Sequence, residues 1–557
     1  MTNRKERISG VDTAWLRMEH STNLMMIVGV MMFAEKLELA SVKRIIASRF
    51  LAYRRFRQKT LQDASGAWWQ DDADFDLDSH VHRAALPGKA DKDELEAYVS
   101  DLASTPLDFG RPLWQFHLVD NYRGGSALVI RIHHCYADGI ALVQVLLSLT
   151  APTAKGSLEM PPPAEEEVET VDTADADLWA QLLKPVAGLL ENAGRVGKDV
   201  VEQGKALAAN PQAGVETLRG VLGKGMDIAG EIAKLATMGA DSATRFKGPL
   251  GARKRVAWAD PLPLEEVKVM GKALGCSIND VLLSMAAGAL RDYLEEHGDP
   301  VDGVEIRAVV PVNLRPPGQA HALGNRFGLV FLDLPIGFEH PLERLYELRR
   351  RMKALKGSYQ PLLALGLLNA VGYGPRAIQD QVTALLGQNA SAVMTNVPGP
   401  QAPLFFAGRQ IIEQNFWVPQ SGSIGMGVSI LSYDGRIQFG VITDAGLVPD
   451  PNEIVGRFGD EYEKLMWLTL MSAWGEDVAS DDNASSEATS SAKHVKQASA
   501  ERKTRAKATG ASVEPLDNSQ EKRPAAKPPR KPSQAKGASS AAASAPAPAI
   551  PKRFRNL

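Results

Sequence analysis

Hydrophobic and polar positions form their clearest pattern near residue 130, where a strand and a helix flank a polar turn. Residues 126–132 (SALVIRI) read as a strand, and the apolar run 140–149 reads as a helix. Alternation along the strand places Ile132 and His134 on one face and His133 on the other. The pattern predicts that His134 points into an apolar, poorly hydrated region, where a neutral imidazole is a competent general base near pH 7.

The same patterns predict other elements of a mixed α/β fold. Helices are expected at residues 39–56 and 277–294, and strands at 304–312 and 326–336. Residues 428–443 read as a hairpin, because the Asp434-Gly435 pair suits a two-residue type I′ turn. The segment around Trp68-Trp69 is interpreted as a turn-rich aromatic patch, and His80 and His82 are interpreted as surface histidines.

Periodicity and composition divide the chain into four parts. We expect an N-terminal half at residues 1–150, an acidic linker with a helical insertion at 151–250, a C-terminal half at 251–474, and a disordered tail at 475–557. Glycines interrupt the helical stripes of 178–247. That insertion either packs on the body or contacts a membrane, and its lack of a strongly basic face favours packing.

Charge and cysteine content argue against a nucleic-acid-binding protein and against a secreted, disulfide-bonded one. Residues 491–557 carry 15 basic and 4 acidic residues, a net charge of +11, whereas residues 1–490 have a net charge of −14. The tail lacks interleaved aromatic residues, so nucleic-acid binding is not expected, and a solvated tail is favoured over a membrane tether. Two cysteines fit a reducing compartment, and no secretory signal or run of eighteen apolar residues is evident.

Several motifs in fixed order carry a family resemblance. The stretch from His133 to Gly139 fits the pattern His-His-x-x-x-Asp-Gly, which resembles the signature of the coenzyme A-dependent acyltransferase superfamily. The chain also has the motifs Pro112-Leu113-Trp114, Asn279-Asp280, Pro311-Val312-Asn313-Leu314-Arg315-Pro316 and Thr395-Asn396-Val397-Pro398-Gly399-Pro400. Together they resemble the bacterial wax ester synthase/diacylglycerol acyltransferase family over about residues 8 to 470.

This resemblance implies a fold and a set of site residues. Two domains similar to chloramphenicol acetyltransferase would pack around a central tunnel, with His134 as the general base midway along it. His133 would be a secondary, structural residue. Asp138 could complete a triad, but the superfamily pattern implies that it pairs with a distant arginine, for which Arg315 is our candidate. Gly139 is expected to permit a close turn, either because no side chain fits or because its φ is positive.

Asn279 allows two interpretations. Its amide could stabilise the oxyanion or position the acceptor, or else Ser277 or Asn279 caps a helix with Asp280 in its first turn. A metal site at the motif is disfavoured because adjacent strand residues diverge. The same divergence argues against a dyad of Cys135 with His134. Pro112-Leu113-Trp114 is interpreted as core packing.

The resemblance therefore implies an O-acyltransferase that moves a long-chain acyl group from acyl-coenzyme A to a fatty alcohol or a diacylglycerol. Acyl-coenzyme A would be a co-substrate, with no permanently bound cofactor and no metal. We expect a cytoplasmic location with peripheral contact to the inner membrane face or lipid inclusions. Two alternatives stay open: a condensation-type enzyme that uses a carrier-protein thioester, and a non-catalytic lipid-droplet or membrane-binding protein.

Overall fold

Two mixed sheets and one small antiparallel sheet form the framework of this chain in a computed structural model. The structure describes residues 5–63, 66–159, 238–314, 325, 327–355, 360–373, 379, 387–420 and 422–471. The described residues up to Thr469 belong to one unit, which contains all three of these sheets. A second unit begins at Leu470, and only its first two residues are described.

The strands within the described residues are two to nine residues long, and several of them, such as Ser126–His133 and Arg436–Asp444, are rich in β-branched residues. They are β1 (Lys5–Arg7), β2 (Met26–Phe33), β3 (Gln58–Asp63), β4 (Gly66–Asp71), β5 (Val81–Ala84), β6 (Trp114–Val119), β7 (Ser126–His133), β8 (Lys254–Trp258), β9 (Leu262–Pro263), β10 (Ile306–Asn313), β11 (Phe327–Leu334), β12 (Ala392–Pro398), β13 (Phe405–Phe406), β14 (Arg409–Trp417), β15 (Met426–Tyr433) and β16 (Arg436–Asp444).

Parallel and antiparallel pairs occur together in both large sheets. The six-stranded sheet has the order β13-β14-β2-β7-β6-β5, in which only β5 and β6 are parallel. The second large sheet has the order β11-β10-β12-β15-β16-β8, with β9 added beside β16, and β12 is parallel to both of its neighbours. The small sheet β1-β4-β3 is antiparallel. The predicted mixed α/β class is confirmed.

Ten α-helices have bounds within the described residues, and several of them begin at a polar capping residue. They are α1 (Gly10–Met18), α2 (Leu39–Ile45), α3 (Lys92–Ala103), α4 (Gly139–Ser148), α5 (Ala154–Leu158), α6 (Leu264–Leu274), α7 (Ile278–Glu296), α8 (Pro341–Leu355), α9 (Gln360–Tyr373) and α10 (Pro451–Met471). Ser9 caps α1, Asp91 caps α3 and Ser277 caps α7, each by accepting a hydrogen bond from a backbone N–H of the first turn.

Among the described residues, one strand and one helix tie the two large sheets together. Strand β14 comes late in the sequence, yet it pairs with β2 in the six-stranded sheet. Helix α3 covers the edge strand β8: side chains of Glu96, Ser100 and Ser104, one turn apart, accept hydrogen bonds from backbone N–H groups of β8. The edge of the second sheet is thereby protected. Strand β14 and helix α3 therefore each contact the other side of the division predicted at residue 251. The predicted domain boundaries stay a prediction.

Several sequence expectations can be compared directly with the structure. The Asp434-Gly435 turn is confirmed, since both residues have positive φ, 48° and 70°. Trp114 is fully buried and its Nε1 donates to the Phe56 carbonyl oxygen at 2.8 Å, which confirms core packing. The segment with Trp68 and Trp69 is strand β4, so the predicted turn is wrong.

His80 is also placed differently from the expectation. Only 2% of it is exposed, it stacks on Trp114 at a centroid distance of 4.3 Å, and its Nδ1 lies 2.8 Å from the Trp114 carbonyl oxygen. The expectation that His80 lies at the surface is wrong, because it was based on the polar residues around it in the sequence. The helical stripes of the predicted insertion, Arg315, and the predicted tail lie outside the described residues.

Candidate active site

The His-His-x-x-x-Asp-Gly motif forms the turn between strand β7 and helix α4. The strand ends at His133, and the helix begins at Gly139 with Asp138 as its cap. The backbone N–H of His134 donates to the carbonyl oxygen of Met25 at 2.7 Å, which fixes the turn against the neighbouring β2 region. The predicted strand, turn and helix are all present, and they hold His134 at the end of a strand in the middle of a sheet.

Two aromatic rings enclose the imidazole of His134. Trp15 of α1 stacks on it, with ring centroids 4.1 Å apart and planes 20° apart, and Phe327 of β11 lies at 5.9 Å. Only 5% of His134 is exposed. This burial lowers the pKa of His134 to about 4, against a smaller opposing effect of the Asp138 carboxylate. The imidazole is therefore neutral at physiological pH, which is the form a general base requires.

Asn325 links the turn to helix α1 and was not identified as a site residue from the sequence. Its Nδ2 donates to the carbonyl oxygen of His134 at 2.9 Å and to Oδ1 of Asp12 at 2.6 Å. Asn325 and Asp12 are both buried. The amide therefore connects three parts of the chain that are far apart in sequence, and it holds the backbone on which the imidazole is carried.

His133 has a separate set of contacts. Its Nδ1 accepts a hydrogen bond from the backbone N–H of Cys135 at 3.1 Å, and its Nε2 lies 3.5 Å from Glu19. An acceptor at Nδ1 places the proton of the neutral ring on Nε2, towards the carboxylate. His133 thus shapes the turn on the side away from Trp15 and Phe327, in keeping with the alternation of the strand.

Asp138 also shapes the turn. Its Oδ1 accepts from the backbone N–H of Ala141 at 2.9 Å, and only 3% of the residue is exposed. This is the geometry of a helix N-cap, in which the negative charge also complements the helix dipole. The proposed partner Arg315 lies outside the described residues, so the ion pair stays a prediction.

Gly139 does not have the role expected from the sequence. It lies in the first turn of α4 and is absent from the described residues with positive φ, and a Cβ built on it meets no atom of those residues within 4 Å. The expectation that a side chain would not fit, or that φ would be positive, is therefore wrong. Gly139 instead borders open space, on the walls of two neighbouring cavities.

The larger of these cavities, which we call the His134 cavity, is open to solvent and encloses about 1130 Å³ including the solvent at its mouth. Its wall includes His134, Trp15 and Asp138 together with apolar side chains of β10, β11 and β12. A few polar groups, on Asn313, Thr395 and Asn396, interrupt this apolar lining. A large apolar cavity with a few convergent polar groups around a perturbed titratable residue is typical of a small-molecule site.

Asn279 is exposed and does not border the His134 cavity. Its Oδ1 accepts from Nδ2 of Asn396 at 2.8 Å, and Asn396 does border the cavity. The helix cap is Ser277, which forms a reciprocal capping box with Asp280. Of the two interpretations of this motif, the cap thus belongs to Ser277, and Asn279 can reach the site only through Asn396.

Thiol chemistry at the motif is disfavoured by the surroundings of Cys135. The residue is fully buried, and burial raises the pKa of its thiol. Burial also raises the pKa of Cys276, to about 12. Neither thiol therefore forms a thiolate at neutral pH. Among the described residues, His297, Asp450 and Glu453 are grouped closely enough to hold a metal ion, and none of them belongs to the motif.

Membrane-spanning potential can be assessed only for the described helices. None of them alone is both long and apolar enough to cross a membrane. The bent pair α6 and α7 meets that criterion only when the two are taken together.

Comparison with solved structures identifies the class of fold. The chain is similar to a wax ester synthase/diacylglycerol acyltransferase from Marinobacter aquaeolei, with a TM-score of 0.58, 19% identity, and coverage of 84% of this chain and 100% of that one. It is also similar to the first condensation domain of the calcium-dependent antibiotic synthetase, with a TM-score of 0.52, 14% identity, and coverage of 84% and 97%. The predicted architecture of two acetyltransferase-like domains is confirmed.

Comparison of sequences narrows the class further. The model of the wax ester synthase/diacylglycerol acyltransferase catalytic domain matches residues 8–282, and that of the C-terminal domain of the same family matches residues 323–466. A probable diacylglycerol O-acyltransferase of Mycobacterium tuberculosis is 28% identical over 432 residues, 76% of this chain and 87% of that protein. The chain belongs to the wax ester synthase/diacylglycerol acyltransferase family, and it is an O-acyltransferase. The resemblance stated from the motifs is confirmed.

Proposed function

We propose that this protein transfers a long-chain acyl group from acyl-coenzyme A to the hydroxyl of a fatty alcohol or a diacylglycerol, with His134 as the general base. The observation that carries the proposal is the buried imidazole of His134, stacked on Trp15, at the wall of the mostly apolar His134 cavity. Family membership supports O-acyl transfer, and relatives named as diacylglycerol O-acyltransferases support the acceptor class.

The chemistry follows from the position of the base. His134 takes the proton of the acceptor hydroxyl while its oxygen attacks the thioester carbonyl, and a tetrahedral oxyanion forms. The oxyanion collapses, the carbon–sulfur bond breaks, and the imidazolium returns the proton to the departing thiolate. Because a free thiol has a pKa of about 8.5, the thiolate leaves readily and no covalent enzyme intermediate is required.

The neighbours of His134 would act through position and electrostatics. The lowered pKa makes the imidazolium costly when it forms, and the Asp138 carboxylate offsets part of that cost. Trp15 stacks on the same ring, and an aromatic face attracts a cation that forms against it. Asn396 would donate to the substrate, and Asn279, which accepts a hydrogen bond from its amide, would hold that amide in orientation. Asp138 and its predicted partner Arg315 would keep the turn in shape.

The proposal includes peripheral contact with a membrane or lipid inclusion, because both acceptor classes reside there. Association with such a surface can be measured by flotation of the purified protein with vesicles that contain diacylglycerol. Recovery of the protein with the vesicles would support the contact, and recovery only in the soluble fraction would contradict it.

The substrates can be tested with purified protein and palmitoyl-coenzyme A. The acceptors are hexadecanol, dipalmitoylglycerol or none, and the measured quantities are released thiol and the lipid product. We expect thiol release that depends on the acceptor, with an equal amount of wax ester or triacylglycerol. No product from either acceptor with a folded protein would contradict the proposed donor. Turnover with a palmitoyl carrier protein instead would favour the condensation-type alternative.

A further inference from the structure

Helix α1 presents one face to the motif turn, residues 133–139, and three of its side chains contact that turn or the groups that support it. Asp12 accepts a hydrogen bond from the amide that also binds the turn, and Trp15 stacks on the ring of His134. Glu19 follows four residues after Trp15, at the C-terminal cap of the helix. Spacings of three and four residues place all three side chains on the same face.

One oxygen of the Glu19 carboxylate faces two hydrogen-bond donors. Its Oε2 accepts a hydrogen bond from the backbone N–H of Met25, and it lies 3.5 Å from Nε2 of His133. Because Nδ1 of His133 accepts from the backbone N–H of Cys135, the proton of the neutral ring is on Nε2, the nitrogen nearer to this oxygen. Glu19 therefore contacts both the segment before β2 and the first histidine of the motif.

Met25 connects this carboxylate to the backbone of His134. The carbonyl oxygen of Met25 accepts from the backbone N–H of His134 at 2.7 Å. Two backbone hydrogen bonds between His20 and Asn23, of 3.1 and 2.8 Å, close the turn that brings Met25 back beside Glu19. The backbone of His134 is thus held by a segment that is itself held by Glu19.

The burial of His133 makes its contact with Glu19 important. Only 1% of the His133 side chain and 14% of the Glu19 side chain are exposed. Nε2 of His133 has no hydrogen-bond partner among the described residues, so the carboxylate at 3.5 Å is the charge that compensates for its burial. A buried donor without any compensating group is unfavourable. Removal of the carboxylate would therefore favour a different position of the His133 ring and of the turn that carries it.

Glu19 lies outside the cavity that the proposed function assigns to the substrates. The wall of the His134 cavity includes Trp15 and Met18 of α1, but not Glu19. Alternation along the strand sends His133, the partner of Glu19, to the face opposite His134. An effect of Glu19 on the rate must then act through the position of the turn and not through contact with a substrate.

We propose that Glu19 is a positioning residue for the general base: its carboxylate oxygen holds Met25 and His133, and these two residues hold the backbone that carries the His134 ring. This assignment rests on the proposed acyl transfer and adds a residue that acts on the reaction only through others. Helix α1 then fixes His134 from two sides, with Trp15 against its ring and Glu19 behind its backbone.

Three substitutions of Glu19 separate the position of the oxygen from its charge. Glu19→Gln keeps an oxygen at the same distance from the backbone and removes the charge. Glu19→Asp keeps the charge and retracts it by one methylene group, and Glu19→Ala removes both. Glu38→Ala is the matched control, because Glu38 is an exposed glutamate whose side chain makes no capping hydrogen bond to α2.

The measured quantities are kcat and KM for palmitoyl-coenzyme A and for hexadecanol, with folding verified by circular dichroism. Glu19→Ala should lower kcat by about 10- to 100-fold through misplacement of the base, with KM for both substrates unchanged. Glu19→Asp should lose nearly as much, since its oxygen no longer reaches both donors. Glu19→Gln should retain most of the wild-type kcat, and Glu38→Ala all of it.

The opposite results would overturn the assignment. Wild-type kcat in folded Glu19→Asp would do so, and this variant decides the question if Glu19→Ala fails to fold. A loss of kcat in Glu19→Gln as large as that in Glu19→Ala would show that charge, and not the position of the oxygen, is what the turn needs. A raised KM with constant kcat would place Glu19 in contact with a substrate.

A double-mutant cycle tests the path through His133. In His133→Asn an amide oxygen can replace Nδ1 as the acceptor for the Cys135 N–H, while the group that faces Glu19 is lost. Glu19→Ala should then lower kcat less in the His133→Asn background than in the wild-type background. Equal losses in both backgrounds would overturn the proposed path.

The same cycle is also measured on the free energy of unfolding, which requires no turnover. Absence of turnover in the wild-type protein with every donor would contradict the proposed function. The unfolding cycle would then still decide whether Glu19 and His133 act together: coupling between the two substitutions supports the contact, and additive effects overturn it.

Discussion

The aromatic enclosure of His134 predicts an unusually low acid limit for activity. Burial lowers the pKa of His134 to about 4, compared with 6.5 for an ordinary histidine. A general base acts in its neutral form, so activity falls when the pH drops through the pKa of the free enzyme. The wild-type kcat/KM should therefore stay level from pH 7 to about 5 and fall only as the pH approaches 4.

Replacement of Trp15 should move this limit. In Trp15→Leu the stacked ring at 4.1 Å is lost and water gains access to the imidazole. The pKa should then rise from about 4 towards 6.5, a range of roughly 2.5 units that corresponds to about 3.4 kcal/mol at 1.36 kcal/mol per unit. Loss of the ring pair itself, worth about 0.5–1.5 kcal/mol, should lower kcat/KM at pH 7.5 by roughly 2- to 12-fold.

The assay follows ester formed from labelled palmitoyl-coenzyme A and hexadecanol between pH 4 and pH 8. Each sample is returned to pH 7.5 afterwards, so that irreversible unfolding is recognised. Trp467→Leu is the matched control, because Trp467 is 63% exposed on α10. A wild-type midpoint near 6.5, or an unchanged midpoint in Trp15→Leu, would refute the argument that aromatic burial sets the pKa of the base.

Three further substitutions test whether a residue only holds the site in shape or takes part in the reaction itself. Asn325→Ala should destabilise the protein by about 1–3 kcal/mol and lower kcat, because the buried His134 carbonyl and Asp12 carboxylate each lose a hydrogen bond. Thermal unfolding measures the stability and steady-state kinetics measure kcat, and an unchanged Tm with full activity would contradict this prediction. Asp138→Ala should cost about 0.5–2 kcal/mol by loss of the cap and leave measurable turnover, whereas complete inactivity in a well-folded variant would contradict its structural role. Asn279→Ala should mainly raise KM for the acceptor, and a loss in kcat of about 100-fold or more would indicate a direct role at the oxyanion.

The sequence predicted those parts of the site that lie close together along the chain. The motif from His133 to Gly139 combines a strand, a turn and a helix in a short segment, and alternation was enough to separate His134 from His133. Local rules also predicted the Asp434-Gly435 turn. In each case the conformation is set by interactions between residues close together in the sequence, so a local sequence pattern is enough to predict it.

The rest of the site comes from distant segments, and no local pattern points to it. Trp15 and Phe327 reach His134 from a helix and a strand more than one hundred residues away on either side. Asp12 and Trp15 lie three residues apart on α1 and so share a face, but nothing near them indicates what that face contacts. Asn325 resembles an ordinary turn residue until its hydrogen bonds are known. The expectation for Gly139 is wrong because a glycine in a turn usually serves a positive φ or a close approach of the backbone, and neither is found here.

The division of the chain into halves illustrates the same limit. Strand β14 returns to pair with β2, and helix α3 covers the edge of β8, so the two predicted halves exchange contacts that composition does not indicate. Whether a strand or helix packs on another sheet depends on which sheet edges are unpaired in the folded protein. The sequence pattern of a single segment does not indicate those edges.

The central claim is that His134 removes the proton of the acceptor hydroxyl. Its most direct test compares ester formation from palmitoyl-coenzyme A and hexadecanol by the wild-type protein, His134→Ala, and the control His20→Ala, in which an exposed histidine is replaced. With folding verified for all three, loss of the base should lower kcat by about 100- to 10,000-fold, while His20→Ala retains the wild-type rate. Ester formation by folded His134→Ala at a rate close to wild type would contradict the account.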